Sequence, residues 1–181
     1  MEFKTKHNLR EDIFRAYMAG IIDGEGTIGI QRHKKNNRTG YIKYMPYIQL
    51  VNTDYDLVKM FSDFIGGTAI TKHIGSKNGY KSRRDCYVTK KSGTIGAIKV
   101  IKKLYPFLFV KKNLADLVIR LSEEGKKYNC KGKKIKRNQS NLPTGEAQRR
   151  ADIYKKYLSI VHPQRLSERT PKGEATVQAK N

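Results

Sequence analysis

The chain has 181 residues, 38% of them apolar and 9% aromatic, and a formal net charge of +22 with a pI near 10. That length fits one domain with some chain to spare, and the apolar share suffices for a core. The charge is extreme for an enzyme of neutral substrates and points to a polyanion, either nucleic acid or an anionic membrane surface, while no apolar stretch approaches the roughly 20 residues that span a bilayer.

In chain order, "MEFKTKHNLRED" lacks the apolar core of a signal peptide and carries Glu2, Glu11 and Asp12. Transit peptides avoid such acids, so an intracellular protein is expected. Residues 12–24 read as a helix. Strands follow over 27–35, "TIGIQRHKK", and 41–52, "YIKYMPYIQLVN", separated by the turn-rich "NNRTG". Pro46 predicts a bulge or an unpaired edge position. In "TDYDLVKMFSDFIG" Leu57, Phe61, Phe64 and Ile65 share one helical face, Thr53 and Asp56 suit a capping box, and Gly66 and Gly67 make the stop. The same order then recurs. "TAITKHI" and "RRDCYVTK" read as strands joined through "GSKNGYKS", and a helix runs from a Ser92 cap to Pro106. A further helix runs from about Lys111 to Gly125, with Leu114, Leu117, Val118 and Leu121 at i, i+3, i+4 and i+7. Cys86 and Cys130 stand far apart without CxxC or Cys/His spacing, so neither a disulfide framework nor a zinc site is expected.

The body, residues 1–125, is therefore an α+β domain of order α-ββα-ββα. Residues 126–140, "KKYNCKGKKIKRNQS", hold seven basic residues and no acid. Alone they would suit a solvated linker; in a chain this basic they suit a phosphate-contacting segment, with Lys131, Lys133, Lys134 and Lys136 reaching the backbone. A last helix over about 144–161 carries Ala147, Ala151, Tyr154, Leu158 and Val161 on one side, and is expected to pack, with the linker, on the same domain. The tail, 163–181, has no apolar pattern and is expected to be disordered. Basicity is not a tail effect: 23 basic stand against 12 acidic residues up to Gly125, and 15 against 4 after it.

One stretch, "AYMAGIIDGEGTIGI" at 16–30, sits oddly in this pattern. Tyr17, Met18, Ile21 and Ile22 recur at helical spacing, yet Gly20 and Gly24 interrupt them at about 1 kcal/mol each relative to Ala. Ala16, Gly20 and Gly24 lie at i, i+4 and i+8 with Ala19 beside them, which leaves a stripe of the helix nearly bare. Such a stripe lets another helix approach backbone to backbone, a steric logic best documented in membranes but independent of lipid. Two copies of this helix side by side would bring two Glu25 carboxylates and several unpaired carbonyls together. An acid at a helix C-terminus opposes the macrodipole. The pairing would repel phosphate and attract a divalent cation, as a metal-dependent phosphodiesterase requires.

"MAGIIDGEG", Met18 to Gly26, resembles the nine-residue motif of the LAGLIDADG homing endonucleases, with Met for Leu, Ile for Leu, Gly for Ala and Glu for the second Asp. The α-ββα-ββα order over about residues 10–125 matches as well, and "YPFLFVKKNLADLVI" resembles the family's segment after the third helix. The resemblance implies motif helices packed at a twofold axis and an antiparallel β saddle in the DNA major groove. With no second copy of the motif, it implies a homodimer acting on a long near-palindromic duplex. It implies Mg2+ or another divalent ion such as Mn2+, held by Glu25 with the Gly24 carbonyl. It implies that Lys111 positions or activates the attacking water, with Lys112 a nearby rival, and that Asn52 lies near the scissile phosphate. Asp23 would cap or orient the helix end, within a dimer interface of Ala16, Ala19, Gly20 and Asp23. Where relatives carry a second basic residue after the second strand, this chain has only "TDYD". Residence in a mobile group I intron or intein-like element, and a phage, bacterial or organellar host compartment, are further implications. The alternative from another class is a non-cleaving intron-splicing maturase, binding its own intron RNA, or a DNA-binding regulator on the same fold.

Strand alternation selects the face that would meet DNA. If Ile28 and Ile30 face the core, Gln31, His33 and Lys35 face outward. Lys43, Tyr47 and Gln49 do so on the second strand, and Thr71 and His73 on the third. Of Arg83 and Arg84 only one can share that face. Gln, Lys and Arg can read base edges in the major groove. Competing nuclease patterns fit poorly: "GYIKYMPYI" lies mid-domain rather than in a GIY-YIG order, and His7, His33, His73 and His162 do not cluster as an HNH site would need. Glu25 precedes Gly-Thr rather than the x-Lys of restriction-type enzymes.

Overall fold

A computed structural model describes residues 10–34, 42–74, 84–129 and 144–163. Helix α1 (Glu11–Gly24) leads into a hairpin of β1 (Gly26–Lys34) and β2 (Ile42–Asn52), and α2 (Tyr55–Phe64) follows. Strands β3 (Ile70–His73) and β4 (Cys86–Ser92) with α3 (Gly96–Leu104) repeat that order, a 3-10 turn covers Tyr105–Phe107, and α4 (Lys112–Asn129) and α5 (Thr144–Val161) complete it. The four strands form one antiparallel sheet in the order β1-β2-β4-β3. The α+β architecture and its α-ββα-ββα order are those expected from the sequence.

One face of the sheet is apolar because β1 and β2 alternate. Ile28, Ile30, Ile48 and Leu50 are buried there against Phe14, Met18 and Ile22 of α1, Val58 and Phe61 of α2, Ile98, Ile101 and Leu104 of α3, and Ala115, Val118 and Leu121 of α4. Each large apolar side chain so buried contributes about 1.5–3 kcal/mol. The pairing Tyr47↔Ser92 through Asn52↔Tyr87 joins the two hairpins edge to edge. Among the described residues of the opposite face, Gln31, Lys43, Thr71 and His73 are exposed.

Several local expectations are corrected. Of the two readings of Pro46 the bulge fails and the position unpaired on one side holds: it is buried in β2 opposite Ile30 in an unbroken register, one residue beyond the end of the β2–β4 ladder. Its carbonyl accepts from the Gly93 amide at 2.9 Å, so its nitrogen faces the side where β4 has already ended and no ladder donor is missing. Ser92 is the last residue of β4 rather than a cap; Gly93, at φ +104°, turns the chain and α3 begins at Gly96 without a side-chain cap. Asp54, not a Thr53–Asp56 box, caps α2, its Oδ1 accepting from the Leu57 amide at 3.1 Å. Gly66 and Gly67 do stop that helix, at φ +97° and +67°. Gly125 does not stop α4, which continues to Asn129; a penalty near 1 kcal/mol yields to the packing of the helix's apolar stripe.

Helix α5 packs on α4 and reaches β1. Its inward face is the expected one in part: Tyr154, Leu158 and Val161 lie on it, and Ala147 does not. Ala147 is exposed, while Glu146 and Tyr157 are buried and Ile153, Tyr154, Leu158 and Val161 pack on the core. Tyr154 lies against Tyr44 at 5.0 Å between ring centroids. Glu146, ion-paired to Arg150, is pushed up from its ordinary carboxylate range by burial. Residues 130–143 and 164–181, with Lys131, Lys133, Lys134, Lys136 and the tail, lie outside the described residues.

Candidate functional site

The end of α1 gathers four polar side chains from three elements. Glu25, the C-cap residue, is exposed, and Asn52 at the end of β2 donates its Nδ2 to Glu25 Oε2. Asn52 is itself oriented, because its Oδ1 accepts from the Asp54 amide at 2.8 Å, the residue that caps α2. Lys111 comes from the turn before α4. Its Nζ donates to the carbonyls of Ile22 at 2.7 Å and Asp23 at 2.6 Å, so a cation sits on the negative end of the α1 dipole. Burial pushes this ammonium below its ordinary range, and the Asp23 carboxylate offsets part of that shift. Lys112, the rival, points elsewhere: its Nζ lies over the Tyr105 ring at 5.2 Å.

Asp23 corrects an expectation. Its Oδ2 accepts from the amides of Phe109 at 2.7 Å and Val110 at 3.2 Å, and its Oδ1 from that of Lys111 at 2.8 Å. It therefore organises the entry to α4 rather than capping its own helix. The exchange is reciprocal: α1 supplies a carboxylate to the amides before α4, and that turn returns Lys111 to the carbonyls of α1. Gly26 is sterically required here, since a Cβ would lie 2.3 Å from Ile22 Cδ1 and 2.8 Å from its Cα.

Ala16, Gly20 and Gly24 are exposed on α1, and a Cβ added at Gly20 or Gly24 would meet nothing within 4 Å. With Tyr17, Ile21 and Leu57 they line a shallow groove that ends at Glu25. Ala19 does not belong to it. It is fully buried, because it lies on the same side of the helix as Met18 and Ile22. Ile13 and Tyr17 flank the stripe at about half exposure, and Phe109 and Val110 stand 90% and 70% exposed in the turn held by Asp23. Tyr17 belongs to the helical period read from the sequence, whereas the exposure of Ile13, Phe109 and Val110 has no periodic signal in it.

A metal at this end of α1 fits the donors present. Among the described residues no three His, Cys, Asp or Glu side chains converge as ligands. One carboxylate with a backbone carbonyl still suits Mg2+, which keeps waters and takes the rest of its shell from phosphate or a second chain.

The outer face of the sheet follows the expected alternation. Register places Gln31 opposite Met45, His33 opposite Lys43, Gly29 opposite Tyr47 and Gln49 opposite Lys90. Thr71 pairs with Val88 and His73 with Cys86, so both share that face. Gln31, Lys43, Thr71 and His73 are exposed; His33, Tyr47 and Gln49 are half-buried. Arg84, exposed, precedes β4 with the parity of Cys86 and Lys90, whereas Lys35 and Arg83 lie outside the described residues. Lys90 was missed. Its Nζ sits 4.2 Å from the Tyr47 ring centroid and donates to Gln31 Oε1 at 3.0 Å, crossing β2 to reach β1. Tyr157 was missed too: its hydroxyl lies by the Ile30 amide and the Tyr47 hydroxyl, and burial pushes it up to about 12.

No protein-family model and no curated protein matches the chain. Solved structures do. The homing endonuclease I-CvuI in complex with an I-CreI target gives a TM-score of 0.61 at 15% identity, covering 80% of either chain. The archaeal intron-encoded homing endonuclease I-Vdi141I, complexed with DNA, gives 0.59 at 16% identity over 92% of this chain and 90% of that one. The LAGLIDADG homing endonuclease I-GzeII, in complex with a DNA target, gives 0.57 at 14% identity over 92% of this chain and 53% of that one. The chain has the fold of the LAGLIDADG homing endonucleases.

Proposed function

We propose that this protein is a site-specific double-strand DNA endonuclease that works as a homodimer with Mg2+ or a similar divalent ion. The observation that carries the reading is the constellation at the end of α1, where Glu25, held by Asn52, stands beside carbonyls that bind Lys111. It lies at the end of an exposed groove in which Gly20 and Gly24 leave open space. Two copies apposed along that groove would place two such constellations a short way apart, one for each strand. Ile13, Tyr17, Phe109 and Val110 supply apolar area for the same contact, which a free monomer would leave in water. The net charge of +22 supplies the affinity for a polyanion.

Glu25 and the Gly24 carbonyl would hold the metal, which when bound polarises a phosphoryl oxygen and eases ionisation of water. The chain's own residues do the rest. Asn52 holds one Glu25 oxygen and fixes the carboxylate's orientation. Lys111 has two of its three ammonium donors on α1 carbonyls, leaving one for a phosphate oxygen or the attacking water. Because burial lowers its proton affinity, it gives up and regains a proton nearer neutral pH than an exposed lysine would. Asp23 keeps this group in place by fixing the Lys111 backbone. The group I intron setting belongs to the same reading, since cutting an empty allele is the chemistry that spreads such an element.

The test is cleavage of a plasmid pool of randomised inserts in Mg2+ and in EDTA. Wild type should cut both strands at one enriched sequence in Mg2+ alone. Glu25→Gln should abolish cutting while keeping or strengthening binding, since a negative charge near phosphate has gone. A wild type that binds one sequence and never cuts it would overturn the endonuclease in favour of a non-cleaving regulator or maturase. A Glu25→Gln variant that cuts at the wild-type rate would overturn the site.

A further inference from the structure

The outer sheet face carries a built device rather than a set of independent surface residues. Gly29 lies opposite Tyr47 on that face, and a Cβ there would come within 2.7 Å of Tyr47 Cζ and of the Tyr157 hydroxyl. The missing side chain lets the Tyr47 ring lie across β1. The ring's hydroxyl end meets Tyr157, which α5 brings to the strand from outside the α-ββα-ββα core. On this ring rests Lys90 Nζ, 4.2 Å from the centroid, and the same nitrogen donates to Gln31 Oε1 at 3.0 Å. A surface lysine ordinarily loses considerable rotamer entropy on binding. Lys90 is already ordered by a cation–π contact and a hydrogen bond.

This arrangement decides which hydrogen-bonding pattern the face presents. A glutamine reads adenine by accepting from N6–H and donating to N7. Gln31 has one lone pair of its oxygen engaged by the Lys90 ammonium, which leaves its amide N–H groups as the better contact toward a ligand. Lys90 offers ammonium hydrogens and no acceptor. The pair therefore presents mostly donors, the Lys90 ammonium hydrogens and the Gln31 amide N–H groups, against one remaining lone pair on an oxygen already bound to a cation. In the major groove, two adjacent acceptors on one base edge belong to guanine, O6 and N7.

Resting on the proposed DNA-binding function, we infer that Lys90 with Gln31 reads a guanine in each half-site, and that Tyr157 is a positioning residue that holds Tyr47 beneath Lys90. The inference differs from treating Gln31 as an adenine reader or Lys90 as a phosphate contact. A phosphate contact would carry no base preference.

The experiment is selection of bound duplexes from a randomised double-stranded pool with full-length protein in Ca2+, for wild type, Lys90→Met and Tyr157→Phe. Wild type should enrich guanine at one position per half-site by roughly tenfold over adenine. Lys90→Met, which keeps the stem and loses the charge, should flatten that position alone and leave the others enriched. Tyr157→Phe should weaken the same position about two- to threefold with overall affinity little changed, an outcome that loss of fold would not produce. Replacing that guanine by 7-deazaguanine should weaken wild type and leave Lys90→Met unaffected. Specific enrichment that Lys90→Met does not alter, or alters evenly at every position, overturns this inference and leaves the proposed function standing. Absence of any enriched sequence in wild type overturns both.

Discussion

The end of α1 and the outer face of the sheet are both polar and both exposed, but they are held together in different ways. At the end of α1 the side chains are tied to main chain. Asp23 accepts three backbone amides, Lys111 donates to two backbone carbonyls, and Asn52 accepts an amide while holding Glu25. On the sheet the side chains hold one another: Lys90 rests on Tyr47 and bonds Gln31 across a strand. Groups tied to main chain cannot be exchanged without moving the helices that carry them, which suits chemistry that tolerates little displacement. Groups that hold one another can be replaced in sets on an unchanged backbone, which suits a surface whose specificity must be able to change. One region resists substitution by construction, and the other permits it.

The largest effect that would break this contrast is sought at Lys111. Lys111→Met should lower the strand-cutting rate of bound complex by roughly 10²–10⁴-fold, the range of an acid–base or charge-stabilising group. Duplex affinity should stay within severalfold of wild type. Single-turnover cleavage with binding measured on the same sample separates the two. If affinity collapses while the rate per bound complex stays constant, Lys111 is an anchor for phosphate and the α1 site is no more chemical than the sheet.

A smaller effect is expected on the bare stripe. Gly20→Leu should weaken self-association by on the order of 1–3 kcal/mol, because a side chain would fill space that a second helix needs. The isolated chain should melt no lower than wild type, since the added Cβ meets nothing within 4 Å and leucine favours helix over glycine by about 1 kcal/mol. Sedimentation equilibrium and thermal melting at low concentration measure the two sides. An unchanged dimer would place the partner contact elsewhere.

How far these regions were legible in the sequence follows from the range of the forces that make them. Alternation along β1 and β2 and the 3.6-residue period of α1 are local, so the outward set Gln31, Lys43, Tyr47 and Gln49 and the exposed Ala16, Gly20 and Gly24 could be read directly. Ala19 could not, because a small residue serves a close helix contact and a tight core position equally well, and only the neighbours decide. Lys111 was reached through a family resemblance; nothing in "FVKKN" separates it from Lys112, and the difference is which one meets the carbonyls of a helix nearly ninety positions earlier. Asp23 was read as acting on its own helix for the same reason. Lys90 and Tyr157 depend on the β2–β4 register and on where α5 lands. Their signals were faint: Lys90 shares the parity of Arg84, and Tyr157 follows Tyr154 by three residues on a helix whose packing face was read too narrowly.

The smallest effect sharpens the sheet side of the contrast, since it asks whether Tyr157 is bound into the strand edge or merely near it. Its hydroxyl is pushed up to about 12 from an ordinary 10.0, chiefly by burial, so the folded protein favours the protonated form. A folded-state value above the unfolded one means that this contribution is fully present below pH 10. It is lost as the pH rises toward 12, because the unfolded chain ionises first. At a pH midway between the two, wild type should have lost about 1 kcal/mol from this group alone. Tyr157→Phe has no proton to lose. Whatever constant difference the missing hydroxyl makes at neutral pH, the gap between wild type and variant should close by that amount across this window. Urea melts of both proteins at pH 9 and pH 11 check it, with tyrosinate absorbance showing one fewer late-titrating group in the variant. Parallel loss of stability in the two proteins would mean that Tyr157 ionises freely in the folded state, and the link from α5 through Tyr47 to Lys90 would then lack its anchor.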